Sequence, residues 1–139
     1  FPIININGKP YMDGGISDSI PYEKALADGC DKLIVVLTRE RGYLKSTDST
    51  VKIATRKYRK YPDFCKAMLD RADNYNASLS HLFELEKEGK VYVITPTSTK
   101  GFSRVEKDLN KIEALYKDGI DITKAQCGAI KHYIHANHH

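Results

Sequence analysis

Apolar residues are spaced in three different ways along this chain, and each spacing predicts a different element. At the start, Ile3-Ile4-Asn5-Ile6 and Lys9-Pro10-Tyr11-Met12 flank Asn7-Gly8. Both residues of that dipeptide tolerate positive φ, which favours a two-residue hairpin turn. A hairpin is expected, its second arm delivering Asp13 at its end. Gly14-Gly15 then lets the backbone turn sharply. Pro21 suits the first turn of a short helix reaching about Asp28, and Gly29 stops it. The unbroken run Leu33-Ile34-Val35-Val36-Leu37, within Lys32 to Thr38, reads as a strand covered on both faces, as in parallel sheets.

After a polar loop from Arg39 to about Ser49 the period changes. Phe64, Met68, Ala72, Tyr75, Leu79, Leu82 and Leu85 recur at steps of three and four, which places them on one helical face. Pro62 suits the first turn of that helix and Gly89 its stop, with a break near Asn74–Asn76 as an option. Val91-Tyr92-Val93-Ile94 is a second buried strand, ended by Pro96. Ser103-Arg104-Val105-Glu106 fits a capping box. It would open a helix carrying Val105, Leu109, Ile112, Leu115 and Tyr116 and ending at Gly119. Asp121 or Thr123 would cap a last helix.

Two apolar strands joined through helices favour parallel pairing, so the fold class is α/β with a mainly helical C-terminal half. A boundary, if present, falls between Arg39 and Tyr61. The 139 residues suffice for one domain of ordinary size. Hydrophobic content of 41% and charged content of 29% belong to globular proteins rather than disordered ones. No apolar run approaches the roughly 20 residues that cross a bilayer. The chain opens on Phe1-Pro2-Ile3 without a basic leader or cleavage site, and the natural N-terminus is expected to lie upstream.

The net charge of +4 gathers in Lys52, Arg56, Lys57, Arg59, Lys60 and Lys66, with Tyr58 and Tyr61 interleaved. Such a stretch can touch an anionic membrane surface, and a solvated helix face accounts for it equally well. No nucleic-acid motif accompanies it, so nucleic acid is not an expected partner. Cys30, Cys65 and Cys127 are widely spaced and odd in number, form no zinc pattern, and read as reduced thiols of a cytosolic protein. His132 and His135 are three apart, with His138 and His139 behind them. They have no Cys or acidic partner nearby, so a frayed terminal helix with tag-like residues after Asn137 is preferred to a metal site.

Asp13-Gly14-Gly15 is the segment with the most chemistry. Alone, Asp-Gly-Gly is a turn, because Asp bonds its own backbone and Gly accepts left-handed φ. Here the aspartate ends an expected strand and a short helix follows. A carboxylate so placed can accept the proton of a neighbouring hydroxyl nucleophile, the task His performs in a triad. Ser17, Asp18 and Ser19 fit a supporting role, ordering the loop through side-chain to backbone bonds. Arg39 and Tyr43 follow the central strand, where open α/β sheets place ligands. They can line a cleft, but a structural pairing is preferred.

The run Tyr11-Met12-Asp13-Gly14-Gly15-Ile16-Ser17-Asp18-Ser19-Ile20-Pro21, continuing through Ala25, Gly29, Asp31-Lys32, Val35-Val36-Leu37-Thr38-Arg39 and Tyr43, resembles the patatin-like phospholipases, in particular their bacterial branch. Tyr61-Pro62, Arg71, Tyr75-Asn76, Leu82, Gly89-Lys90 and Ile94-Thr95-Pro96 resemble the helical extension that follows the patatin domain there. The resemblance implies that residues 1–50 are the C-terminal part of a catalytic domain and that 51–139 are a mostly helical extension with one strand. It implies a partial patatin-like sheet made of the N-terminal hairpin and two parallel strands.

It further implies a serine lipid acyl hydrolase with a Ser-Asp dyad, no cofactor and no metal, acting on phospholipids or related acyl esters. Asp13 matches the dyad aspartate, with Gly14 and Gly15 in its loop. The expected setting is cytoplasmic, with peripheral membrane contact through Lys52, Arg56, Lys57, Arg59 and Lys60. No Gly-x-Ser-x-Gly elbow and no upstream Gly-rich oxyanion loop occur in the chain, so one half of a site is expected. The alternatives are a regulatory or membrane-docking module of the same origin and an unrelated α/β domain that binds an anionic ligand.

Overall fold

A computed structural model describes residues 2–47, 49–103 and 105–136. Its elements are β1 (Ile4–Ile6), β2 (Lys9–Tyr11), a 3-10 turn (Gly14–Ile16), α1 (Tyr22–Ala27), β3 (Leu33–Val36), α2 (Ser49–Lys57), α3 (Pro62–Lys87), β4 (Val91–Ile94) and α4 (Leu109–His135). The α/β class matches the reading of the sequence, as does the element order as far as β4. The backbone sorts into two compact units, neither continuous in sequence.

The first unit comprises Phe1–Glu23 and Leu44–Leu82. Asn7 and Gly8 take φ of 50° and 77°, the pair of left-handed residues that closes a tight hairpin. The register runs Ile4↔Tyr11, Asn5↔Pro10, Ile6↔Lys9. Ile20, Tyr22, Ala72, Leu79 and Leu82 form the core of this unit, and Leu82 is fully buried. The expected apolar stripe is therefore the buried face of α3. The helix does not break at Asn74–Asn76. Instead, the Asn76 amide meets the backbone of Lys45 twice, accepting from its N–H at 2.8 Å and donating to its carbonyl at 2.9 Å. A residue that competes for backbone bonds is kept within a helix here because it pins a neighbouring loop.

The second unit comprises Lys24–Tyr43 and Phe83–His139. β3 and β4 pair in parallel, Leu33 opposite Val91 through Val36 opposite Ile94, as expected. Among the described residues the strands form two sheets, β1–β2 and β3–β4, rather than the single partial sheet expected. β3 also departs from the expected cover on both faces: Ile34 is 42% and Val36 68% exposed, whereas Val91, Val93 and Ile94 of β4 are buried. β4 has α4 packed on it. There the Tyr133 hydroxyl accepts from the Leu33 N–H at 3.1 Å and donates to the Lys90 carbonyl at 2.8 Å. The Lys32 ammonium donates to the Ile134 and Ala136 carbonyls at the C-terminal end of α4, where positive charge is favoured.

α4 corrects two expectations. It starts after Asp108, whose carboxylate accepts from the Asn110 and Lys111 N–H groups, and not at the Ser103 box. Glu106 does accept the Ser103 N–H at 3.1 Å, half of a capping box, but Val105 is 73% exposed and lies outside any helix. Nor does Gly119 end a helix, and neither Asp121 nor Thr123 starts one. Leu115, Ile122, Gln126, Ile130 and Tyr133 keep a half-buried to buried stripe at steps of three, four and seven through the glycine. That stripe outweighs the roughly 1 kcal/mol that a helical glycine costs. No helix among the described residues is long and apolar enough to cross a membrane.

Candidate active-site loop

Three residues after β2 the backbone tightens into a single 3-10 turn, and the sequence dictates how. Asp13 caps the turn, its Oδ1 accepting from the Gly15 N–H at 2.9 Å. The next two serines close the loop from below: Ser17 Oγ donates to the Gly14 carbonyl at 3.1 Å and Ser19 Oγ to the Gly15 carbonyl at 2.7 Å. Both serines thus take the supporting role expected of them. Asp18 does not, since among the described residues only its backbone N–H is used, toward the Gly14 carbonyl at 2.9 Å.

The long-range tie is Arg71 of α3, whose Nε donates to the Gly15 carbonyl at 2.8 Å. A Cβ on Gly15 would meet Asp13 Oδ1 at 3.3 Å and the Arg71 guanidinium at 3.7 Å, so the glycine lets the carboxylate reach its N–H and the arginine its carbonyl at the same time. Gly14 has open space around its Cα and carries no such constraint. Asp13 is exposed. Its Oδ1 is held by the loop, and among the described residues its Oδ2 takes no hydrogen bond. A fixed, solvent-facing carboxylate with one oxygen unengaged can accept a proton from a hydroxyl brought to it.

Arg39 and Tyr43 belong to the second unit and form a structural pairing. The Arg39 guanidinium lies 5.0 Å from the centre of the Tyr43 ring, and its Nη1 donates to Thr99 Oγ1 at 3.0 Å. The Thr99 hydroxyl donates in turn to Glu40, which also accepts the Thr99 N–H at 2.9 Å. These bonds, with the Thr99 hydroxyl the largest cause, hold the Glu40 carboxyl below its usual range. Beside them Arg41 makes a two-point ion pair with Glu86, at 2.7 and 2.6 Å. Farther along, Asp118 accepts the Thr97 hydroxyl at 2.7 Å and the Thr97 N–H at 2.9 Å, which lowers its pKa.

Of the basic stretch, Lys52, Arg56 and Lys57 are exposed on α2, with Arg59 and Lys60 exposed just after it. The Lys57 ammonium lies 5.7 Å from the Tyr58 ring. The three cysteines form no disulfide. His132 and His135 occupy the last turn of α4; Asn137, His138 and His139 fall outside the described residues. No group of three or more His, Cys, Asp or Glu among the described residues is placed to hold a metal.

One cluster was not legible beforehand. His81 of α3 sets its Nδ1 3.2 Å from Glu23 Oε1 and 3.1 Å from the Tyr22 hydroxyl, which is also 3.0 Å from the Ser78 carbonyl. Glu23 and His81 stand 58 positions apart, and no local spacing links them. The only hint is a histidine adjoining the apolar stripe, one residue before Leu82.

A family model described as a domain of unknown function, DUF6363, matches residues 61–135, and the chain belongs to that family. The match runs from the start of α3 to the end of α4 and excludes both the Asp13 loop and the basic residues up to Lys60. No curated protein and no solved structure matches the chain.

Proposed function

We propose that this chain is part of a serine lipid acyl hydrolase resembling the patatin-like phospholipases, to which it contributes the dyad aspartate, Asp13. The nucleophilic serine and oxyanion donors come from elsewhere in the parent polypeptide. The observation that carries the reading is the exposed Asp13 carboxylate, anchored through Oδ1 to the Gly15 N–H while Oδ2 takes no hydrogen bond among the described residues. In the parent, Oδ2 takes the proton of the serine as its oxygen attacks the acyl carbonyl. It returns that proton to the leaving alcohol when the ester bond breaks, leaving an acyl-serine for water to hydrolyse. The substrate class is phospholipid or a related acyl ester, and the setting is cytoplasmic and peripheral to membranes. The apolar side chains of β3 that stay exposed, Ile34 and Val36, share one face of the sheet and support a layer of the parent that packs over that face.

A second reading, a non-catalytic module that docks on anionic lipid, draws on α2. There Ile53 is 71% exposed beside Lys52, Arg56 and Lys57, an apolar side chain among cations as in interfacial helices. Serine-directed chemistry separates the two. The isolated chain should take no label from a fluorophosphonate probe and hydrolyse no p-nitrophenyl ester above background, whereas the full-length parent should do both. Asp13→Asn in the parent should lower turnover by about 10²–10⁴-fold with the fold intact, the usual worth of general-base assistance. Full turnover in that variant would reduce Asp-Gly-Gly to a turn and leave the docking module as the better account.

A further inference from the structure

The first unit holds a cavity of about 510 Å³, between the segment after the 3-10 turn and the polar side of α3, a volume suited to a small organic molecule. Its wall is chemically one-sided. Asp18 and Glu23 supply carboxylates, Asn74 an amide, Ile20 and Ala77 apolar surface, and no Lys or Arg among the described residues lines it. Among the described residues the Asp18 carboxylate makes no side-chain hydrogen bond and no ion pair.

The remaining polar group is His81, and the hydrogen-bond geometry fixes its tautomer. The Tyr22 hydroxyl has one proton and two pure acceptors in reach, the Ser78 carbonyl at 3.0 Å and Glu23 Oε1 at 3.3 Å. Once it donates to either, its oxygen meets Nδ1 as an acceptor, as does the Glu23 carboxylate at 3.2 Å. Nδ1 therefore carries the hydrogen, because a bare Nδ1 would set its lone pair against both oxygens. In the neutral imidazole Nε2 is then the lone-pair acceptor, and it makes no hydrogen bond among the described residues.

The cavity thus offers acceptors and negative charge. A phosphate or carboxylate ligand would face two carboxylates and a ring lone pair, whereas an ammonium group would be met by all three. We propose that this cavity is a binding site for a small aliphatic amine, its ammonium held by the Asp18 carboxylate and the His81 Nε2 and its carbon chain against Ile20 and Ala77. No serine chemistry enters this proposal, so it stands or falls separately from the hydrolase reading.

Three probes on one four-carbon frame test it: putrescine, 1,4-butanediol and succinate, titrated into the full 139-residue chain while the His81 ring and Asn74 amide signals are followed by NMR. Putrescine should shift both signals saturably, and the neutral and anionic probes should not. Asp18→Asn and His81→Phe should each weaken putrescine about 10-fold or more, since a charge-assisted hydrogen bond is lost. Asp121→Asn, an exposed aspartate on α4, should leave it unchanged. Equal shifts with butanediol, undiminished binding in Asp18→Asn, or the same loss in Asp121→Asn would each overturn the site.

Discussion

β2 and β3 each hand the chain to a loop rich in polar side chains, and the two loops use those side chains in opposite ways. After β2, the Asp13 loop is closed by bonds within five residues plus one long-range tie, from Arg71. It leaves the Asp13 Oδ2 without a hydrogen bond among the described residues. After β3, Arg39, Glu40 and Arg41 are each engaged at long range, by Thr99 and Glu86. A carboxylate or guanidinium already bonded to protein groups has less left to offer a substrate. The carboxyl ends of parallel strands are where α/β sheets usually take ligands, and here the side chains after β3 are bonded to other protein groups. The candidate chemistry sits instead on the loop with the fewest internal claims on it.

Three substitutions test that contrast, taken in order of expected size. Leu82, fully buried in the first unit, should cost about 3 kcal/mol on change to Ala, from lost transfer free energy and the cavity left behind. Denaturant unfolding measures it, and a loss below about 1 kcal/mol would mean that packing on α3 is not what holds the Asp13 loop's unit. Thr99→Val keeps the shape of a side chain that is 5% exposed but removes the hydroxyl shared by Arg39 and Glu40. It should lower the melting temperature by about 3 °C; an unchanged melting curve would show those ties to be idle. Arg71→Gln removes the distant tie of the Asp13 loop found among the described residues and should cost about 1 kcal/mol. Its sharper sign is faster amide exchange at Ile16 and Asp18 than in the parent chain, and equal exchange would mean the loop orders itself.

Local chemistry was legible in the sequence and long-range chemistry was not. The hairpin at Asn7-Gly8, the stripe of α3 and the parallel strands rest on spacing or φ preferences that short windows carry. Asp13 stood out because turn residues surround it. Gly119 and the Ser103 box misled for the opposite reason: each is a good local signal, but the Asp108 cap sets where α4 starts and a stripe running from Leu115 to Tyr133 carries it past Gly119. The fate of Arg39 depended on Thr99, 60 residues away, and that of His81 on Glu23, 58 away. Ile34 and Val36 looked like core because their neighbours in sequence do, whereas exposure is set by what packs on the sheet.

The smallest effect concerns Glu106, where local polar saturation is most complete. Its carboxylate accepts three backbone N–H groups, from Asp108 at 3.0 Å, Ser103 at 3.1 Å and Lys107 at 2.9 Å. Those bonds, that from Asp108 foremost, hold its pKa at about 2 against an ordinary 4.5. A carboxyl with a lowered folded pKa lends stability that is present above the unfolded value and disappears as pH falls through the folded one. The contribution should therefore be constant at pH 6–8, begin to shrink near 4.5 and be gone at about 2. Glu106→Gln keeps the shape without the charge, so the variant should melt below the parent chain at pH 7 and alongside it near pH 2. A melting difference that persists unchanged to pH 2 would show that the side chain acts through packing. One that is absent at pH 7 would show the three N–H groups to be equally well served by water.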